Sequence, residues 1–231
     1  MWHFLFDLDG TVLDTTDLIV ASFIYTFETG LGQSVTREQL MVHFGRPLVE
    51  QFRLMRPDLL DHQIDRLVRL YLEHNEAEHD GLVQLVPGAD IGLRTLAATG
   101  NPLGIVTSKR RDLTRRGLRL FGLDELFSVI VALESTRRHK PHPEPVEYAI
   151  KRLKADPKRT IYVGDSPYDM MAGHAAGVRT LGLVHNTFSR ADLSQAGADD
   201  VVDTWSDIVA VLSRWSRSED TKDSYFMRGD T

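Results

Sequence analysis

"FLFDLDGTVLDTT", residues 4–16, is an apolar run that stops abruptly at two aspartates, Asp7 and Asp9, followed by Gly10 and Thr11. Three consecutive apolar residues, Phe4 to Phe6, ending in charge fit a strand covered on both faces that delivers polar groups at its carboxyl end. Similar short runs recur at His3 to Phe6, Pro102 to Val106, Phe127 to Leu133, Thr160 to Val163, Arg179 to Val184 and Asp200 to Val202. Helix-length stretches separate them: Gly88 to Thr99, Asp112 to Phe121, Pro143 to Lys154, Tyr168 to Ala176 and Ser206 to Trp215. Strand and helix in alternation predict an α/β fold, a doubly wound and mostly parallel sheet with right-handed crossovers.

One interval breaks this rhythm. Between Thr16 and Gly81 no strand pattern occurs, and apolar residues fall at helical spacing, as in Leu18, Ala21, Tyr25 and later Ile64, Leu67, Val68, Tyr71. A single crossover needs one helix, so the excess predicts an inserted all-helical cap subdomain. The expected organisation is a catalytic core of residues 1–15 and 82–216, a cap of 16–81, and a flexible tail of 217–231 poor in apolar anchors. The Arg228-Gly229-Asp230 triplet in that tail reads as a chance occurrence.

With 33 acidic against 27 basic residues among 231, the formal charge of −6 gives no basis for general affinity to nucleic acid. The basic clusters Lys109-Arg110-Arg111 and Arg137-Arg138-His139-Lys140 are short enough to meet one small anion. There is no cysteine, hence no disulfide framework or thiol site. No charged leader precedes the first strand, and no run of about 18 apolar residues could cross a membrane. A cytoplasmic protein, monomer or homodimer, is the expectation.

In open α/β sheets ligands bind beyond the carboxyl ends of the strands. Those ends carry Asp7 and Asp9, then Thr107 and Ser108, then Lys140 in "RHKPHPEP", then Asp165 and Asp169 in "IYVGDSPYD". Two carboxylates about 4 Å apart repel by roughly 4 kcal/mol at an effective dielectric near 20. Such a cluster needs a shared proton or cation, and hard oxygen donors without His or Cys suit Mg2+. A cation, Lys140, the Thr107 hydroxyl and backbone N–H groups would together cradle a phosphate. One aspartate can then attack phosphorus while the other moves protons.

"DLDGT", "VTSK", "HKPHPEP" and "VGDSPYD", in this order and covering nearly the whole chain, resemble the haloacid dehalogenase superfamily of phosphatases. The resemblance implies Asp7 as nucleophile, Asp9 as general acid/base, Thr107 and Ser108 as phosphate contacts, and Lys140 as the cation steadying nucleophile and phosphate. It implies metal ligation by Asp7, Asp165 and the Asp9 carbonyl, with Asp169 supporting the metal through water. The helical insert is similar to the cap of the phosphoglycolate phosphatase-like group. There "HFGRPL", residues 43–48, puts Arg46 between Gly45 and Pro47 as a substrate contact.

The expected activity is Mg2+-dependent hydrolysis of a small phosphorylated metabolite such as phosphoglycolate, with the pyrophosphatase branch of the same group as the alternative. A sugar phosphomutase fits less well, because Thr11 stands where that branch usually has valine, and intact Asp7 and Asp9 disfavour a non-enzymatic phosphate binder. Several polar residues have plainer readings. His74 and His79 in "EHNEAEH" are five apart and predict a solvated helix rather than a metal site. Asp165 could be only a helix N-cap, and Trp205 and Trp215 read as packing residues.

Overall fold

The computed structural model describes residues 1–44 and 46–226, with side chains through Arg217. Contacts divide the chain into two units, one of Met1–Leu13 with the chain from Leu85 onward, the other of Asp14–Gln84.

The first unit is built on six parallel strands, β1 (His3–Phe6), β4 (Leu103–Val106), β5 (Phe127–Val131), β6 (Thr160–Gly164), β7 (Arg179–Leu183) and β8 (Asp200–Val202). Their order is β5-β4-β1-β6-β7-β8, so the chain steps outward from β1 on one side and then returns to its other side. That reversal beside β1 makes its carboxyl end the switch point. Every residue of β1, β4 and β6 is buried, the uniform burial expected of strands with helices on both faces.

Alternation sends neighbouring residues to opposite faces. Leu5, Val106, Val131 and Tyr162 pack with Val146, Ala149, Ile150 and Ala172 from α7 (Glu144–Leu153) and α8 (Pro167–Ala175). Phe6 instead stacks on Trp205, with ring centroids 5.5 Å apart. Trp205 opens α10 (Trp205–Phe226), which packs against α5 (Ala89–Ala97). Gly92 of α5 admits the indole, since a Cβ there would lie 2.5 Å from it. Helices α6 (Arg111–Leu120) and α9 (Arg190–Gln195) complete the unit.

The sequence ends the last helix near Trp215, whereas α10 continues through Phe226. No Gly or Pro interrupts that polar stretch, and helix propensity needs no apolar stripe. Residues 227–231, which include the Arg228-Gly229-Asp230 triplet, and Gly45 lie outside the described residues.

The second unit contains α1 (Thr16–Leu31), α2 (Arg37–Met41), α3 (Leu48–Met55) and α4 (Asp61–Leu82). Phe23, Phe27, Phe52 and Tyr71 form its aromatic centre, with Phe23 5.0 Å from Phe52 and 4.9 Å from Tyr71. The histidine prediction needs correction, because α4 is not solvated at His79. That ring is fully buried and meets Asp80 through Nδ1 at 2.9 Å, while His74 stacks on Tyr25. A short ribbon, β2 (Leu13–Asp14) with β3 (Gln84–Leu85), pairs the two chain segments where the units join. Among the described residues no helix is long and apolar enough to cross a membrane.

Candidate active site

Asp7 and Thr107 stand one residue beyond their strands and continue the sheet ladder, Asp7 N–H donating to Val163 O at 2.8 Å and Thr107 N–H to Val131 O at 2.9 Å. Their positions are therefore fixed by the sheet rather than by loops. After Asp7 the chain folds over itself. The amides of Val12 and Leu13 both donate to Leu8 O at 2.8 Å, and Gly10 N–H donates to Leu13 O at 2.7 Å. Gly10 takes φ +82°, and a Cβ there would lie 2.1 Å from Asp165 Oδ2. Glycine is thus required on both backbone and contact grounds.

Asp7, Asp165 and Asp169 each bring a carboxylate oxygen within 4.8 Å of the others, the one such acidic group among the described residues. Lys140 Nζ lies 2.8 Å from Asp7 Oδ1 and 2.6 Å from Asp169 Oδ1. Only the Asp169 contact has hydrogen-bond geometry, so Asp7 Oδ1 is a buried oxygen with an unmet acceptor position. Burial pushes the Asp7 carboxyl up to about 7, with Asp169 and Asp9 adding to the rise and Lys140 opposing it. Burial also lifts Asp165 well above the usual carboxylate range, reinforced by Asp169 and Asp7. Burial alone would lower Lys140, but Asp169 and Asp7 outweigh it and hold the ammonium charged.

The predicted residues do not all join this cluster. The Asp9 side chain is a third exposed and pairs with Lys109 Nζ at 2.9 Å, outside the group of three carboxylates. Thr107 is buried, its Oγ1 accepting from Lys109 N–H at 3.1 Å, whereas Ser108 is exposed. Arg46 belongs to the second unit. Its guanidinium is half-exposed and bonds Glu50 at 2.8 Å, and Gln51 Nε2 donates to its carbonyl at 2.8 Å.

Asp169 differs from the sequence prediction in its surroundings. It is fully buried, and its oxygens accept from Lys140 Nζ, Tyr162 OH, Ser166 N–H and Ser166 Oγ. A carboxylate offers about four acceptor positions, so all are engaged. The helix N-cap here is Ser166, not Asp165, and it forms a reciprocal capping box with Asp169. Asp165 is left facing Gly10 and Thr11, whose Oγ1 donates to Asp165 Oδ1 at 3.1 Å.

Tyr162, Ser166, Thr11 and Lys109 are the site residues whose contacts the sequence does not announce. Ser-Pro-x-Asp is a capping-box signal for Ser166 and Lys109 lies in a noted basic cluster, but nothing local marks Tyr162.

The donor set suits a hard divalent cation. It is all oxygen, it includes one buried acceptor without a hydrogen bond, and the glycine opposite Asp165 leaves room that a side chain would fill. The cluster beside a buried lysine can also receive an electrophile with anionic oxygens.

Known proteins resemble the chain over most of its length. The family model described as haloacid dehalogenase-like hydrolase matches residues 4–183. A protein named pyrophosphatase PpaX from Halalkalibacterium halodurans is 43% identical over 176 residues, covering 76% of this chain and 80% of its own. A second of that name from Anoxybacillus flavithermus is 36% identical over 213 residues, covering 92% and 97%. Among solved structures, one titled a predicted phosphoglycolate phosphatase from Haemophilus somnus superposes with a TM-score of 0.83 at 25% identity, covering 91% of this chain and 97% of that one.

Proposed function

Given that the chain belongs to the haloacid dehalogenase-like hydrolases, we propose that it is a Mg2+-dependent phosphohydrolase working through an aspartyl-phosphate on Asp7. The observation that carries this is the placement of Asp7: buried at the switch point, 2.8 Å from the Lys140 ammonium and within reach of Asp165.

Asp7 and Asp165, with the Asp9 carbonyl, are the residues proposed to hold Mg2+. Bound there, the ion would offset the carboxylate charge and polarise the phosphoryl group. In the first half-reaction an Asp7 oxygen bonds to phosphorus, the bond to the leaving oxygen breaks, and Asp9 gives that oxygen a proton. In the second, Asp9 takes a proton from water, whose oxygen bonds to phosphorus as the Asp7–phosphorus bond breaks. Phosphate leaves and both carboxyls return to their starting state.

Lys140 and the Thr107 hydroxyl would hold phosphoryl oxygens, with Ser108 at the exposed rim. The bond from Lys109 fixes the orientation of Asp9. Arg46 is the proposed selector of the leaving group. Its anchored carbonyl and half-exposed guanidinium suit a residue that exchanges one anionic partner, Glu50, for another.

For the substrate, inorganic pyrophosphate is preferred over phosphoglycolate, the first expectation from sequence. The relatives at 43% and 36% identity carry the pyrophosphatase name, against 25% for the neighbour titled for phosphoglycolate. Steady-state kinetics on pyrophosphate, phosphoglycolate and a panel of sugar phosphates, with and without Mg2+, tests this. The proposal expects the highest kcat/KM on pyrophosphate and none without the ion. A clear preference for phosphoglycolate would reverse the substrate choice, and metal-independent turnover would remove the mechanism.

A further inference from the structure

We propose that Tyr162 is a positioning residue of the reaction centre: its hydroxyl ties the Asp169 carboxylate that holds Lys140 to the backbone of β4 immediately before Thr107. This rests on the phosphohydrolase reading above and names a residue that reading does not need.

Tyr162 sits in the middle of β6, in register with Leu5 of β1, and is completely buried. Its strand neighbours Ile161 and Val163 are apolar and buried too, so packing alone would be served by phenylalanine. A hydroxyl carried into such a place is costly unless it is bonded. Here it is shared between two acceptors, Val106 O at 3.0 Å and Asp169 Oδ1 at 2.9 Å.

Those two acceptors belong to different parts of the site. Val106 ends β4, and Thr107 follows it. Asp169 lies on α8 and accepts Lys140 Nζ at 2.6 Å on the same oxygen that Tyr162 reaches. Lys140 in turn faces Asp7 across 2.8 Å. The phenol thereby links the ends of β4 and β1 through Asp169 and Lys140, and the Tyr162 ring flanks the ammonium 5.9 Å from its centroid. With its other oxygen capped by Ser166, Asp169 has a direction as well as a charge. Its role in this account is to aim Lys140, and the metal is left to Asp7 and Asp165.

Tyr162→Phe removes the hydroxyl and keeps the ring. Wild type and variant are assayed on p-nitrophenyl phosphate at one temperature at least 15 °C below the lower of the two melting temperatures. Misplacing an ammonium beside the nucleophile should lower kcat by roughly tenfold to a hundredfold, with KM and the half-saturating Mg2+ concentration moving less than about threefold. The rise in melting temperature on adding Mg2+ without substrate should match wild type. Asp169→Asn, the second variant, should show the same pattern and keep the Mg2+-induced rise.

An unchanged kcat in Tyr162→Phe, or a loss carried entirely by KM, overturns the proposal. So does an Asp169→Asn protein that no longer responds to Mg2+, since Asp169 would then be a ligand. If wild type shows no Mg2+-dependent turnover, the phosphohydrolase reading itself has failed, an outcome distinct from a wild type that works and a Tyr162→Phe that equals it.

Discussion

At Gly10 a single hydrogen atom in place of a side chain decides whether the acidic cluster can exist. The residue combines a left-handed backbone with a contact in which any Cβ would lie 2.1 Å from the Asp165 carboxylate. Gly10→Ala should therefore do more than add the roughly 1–2 kcal/mol of a left-handed alanine. Asp165 has to retreat, so the Mg2+ concentration for half-maximal activity should rise at least about tenfold while circular dichroism stays native. An unchanged metal titration would disconnect Asp165 from the ion. At this scale the sequence is most legible where chemistry and turn geometry coincide, as in the Asp-x-Asp-Gly-Thr run. It is least legible where a residue acts from inside the core. Tyr162 looks like any strand aromatic until Val106 and Asp169, distant in sequence, come within 3.0 and 2.9 Å of its hydroxyl. Asp9 and Asp169 show the complementary limit: residue type gave their charge, but the partners Lys109, Ser166 and Tyr162 determine what that charge can still do.

Among the elements, β1 and the loop after it are held from behind by α10. Trp205 stacks on Phe6, and its Nε1 donates to Thr11 O at 2.8 Å inside the fold, so the loop carrying Asp9 and Gly10 has a fixed floor. Trp205→Phe keeps an aromatic ring but leaves that buried carbonyl without the donor. The expected cost is about 1–3 kcal/mol, a fall in melting temperature of about 3–10 °C for a chain of this size. Thermal denaturation checks it, and no change would mean that the loop is held by its own backbone bonds. The central strands β1, β4 and β6 are readable because burial on both faces writes them as short, mostly apolar runs, and β8 runs over the same residues in sequence and structure. Elements whose identity depends on pairing or on helix propensity are not readable in that way. The two-residue strands β2 and β3 exist only through each other. The last part of α10 carries no apolar periodicity to mark it, and the six-residue α9 is announced chiefly by its Ser189 cap.

Over the whole molecule the acidic cluster is an electrostatic cost that a bound cation would relieve. Asp7 is raised to about 7 and Asp165 is raised as well, both chiefly by burial, whereas the unfolded chain loses these protons near pH 4. Between those limits the folded state binds more protons than the unfolded one, so metal-free stability is greatest below pH 4 as far as these groups are concerned. It falls as pH rises through about 7. Mg2+ competes with those protons, so the rise in melting temperature that it causes should be larger at pH 8 than at pH 5. Equal rises at both values would mean that the ion binds elsewhere. The doubly wound sheet follows from the alternation of elements, and the meeting of four distant motifs follows from its topology, since β5, β4, β1 and β6, the strands that precede them, lie side by side. What brings them within bonding distance is the packing behind them, which no local pattern encodes. The most direct test of the whole account is rapid quench of the enzyme during turnover, followed by mass spectrometry of the peptide that contains both Asp7 and Asp9. A phosphoryl group should be found on Asp7, absent from Asp7→Asn, whose turnover should fall below roughly a hundredth of wild type. A phosphoryl group on any other residue, or an Asp7→Asn protein that keeps more than roughly a tenth of the activity, would contradict it.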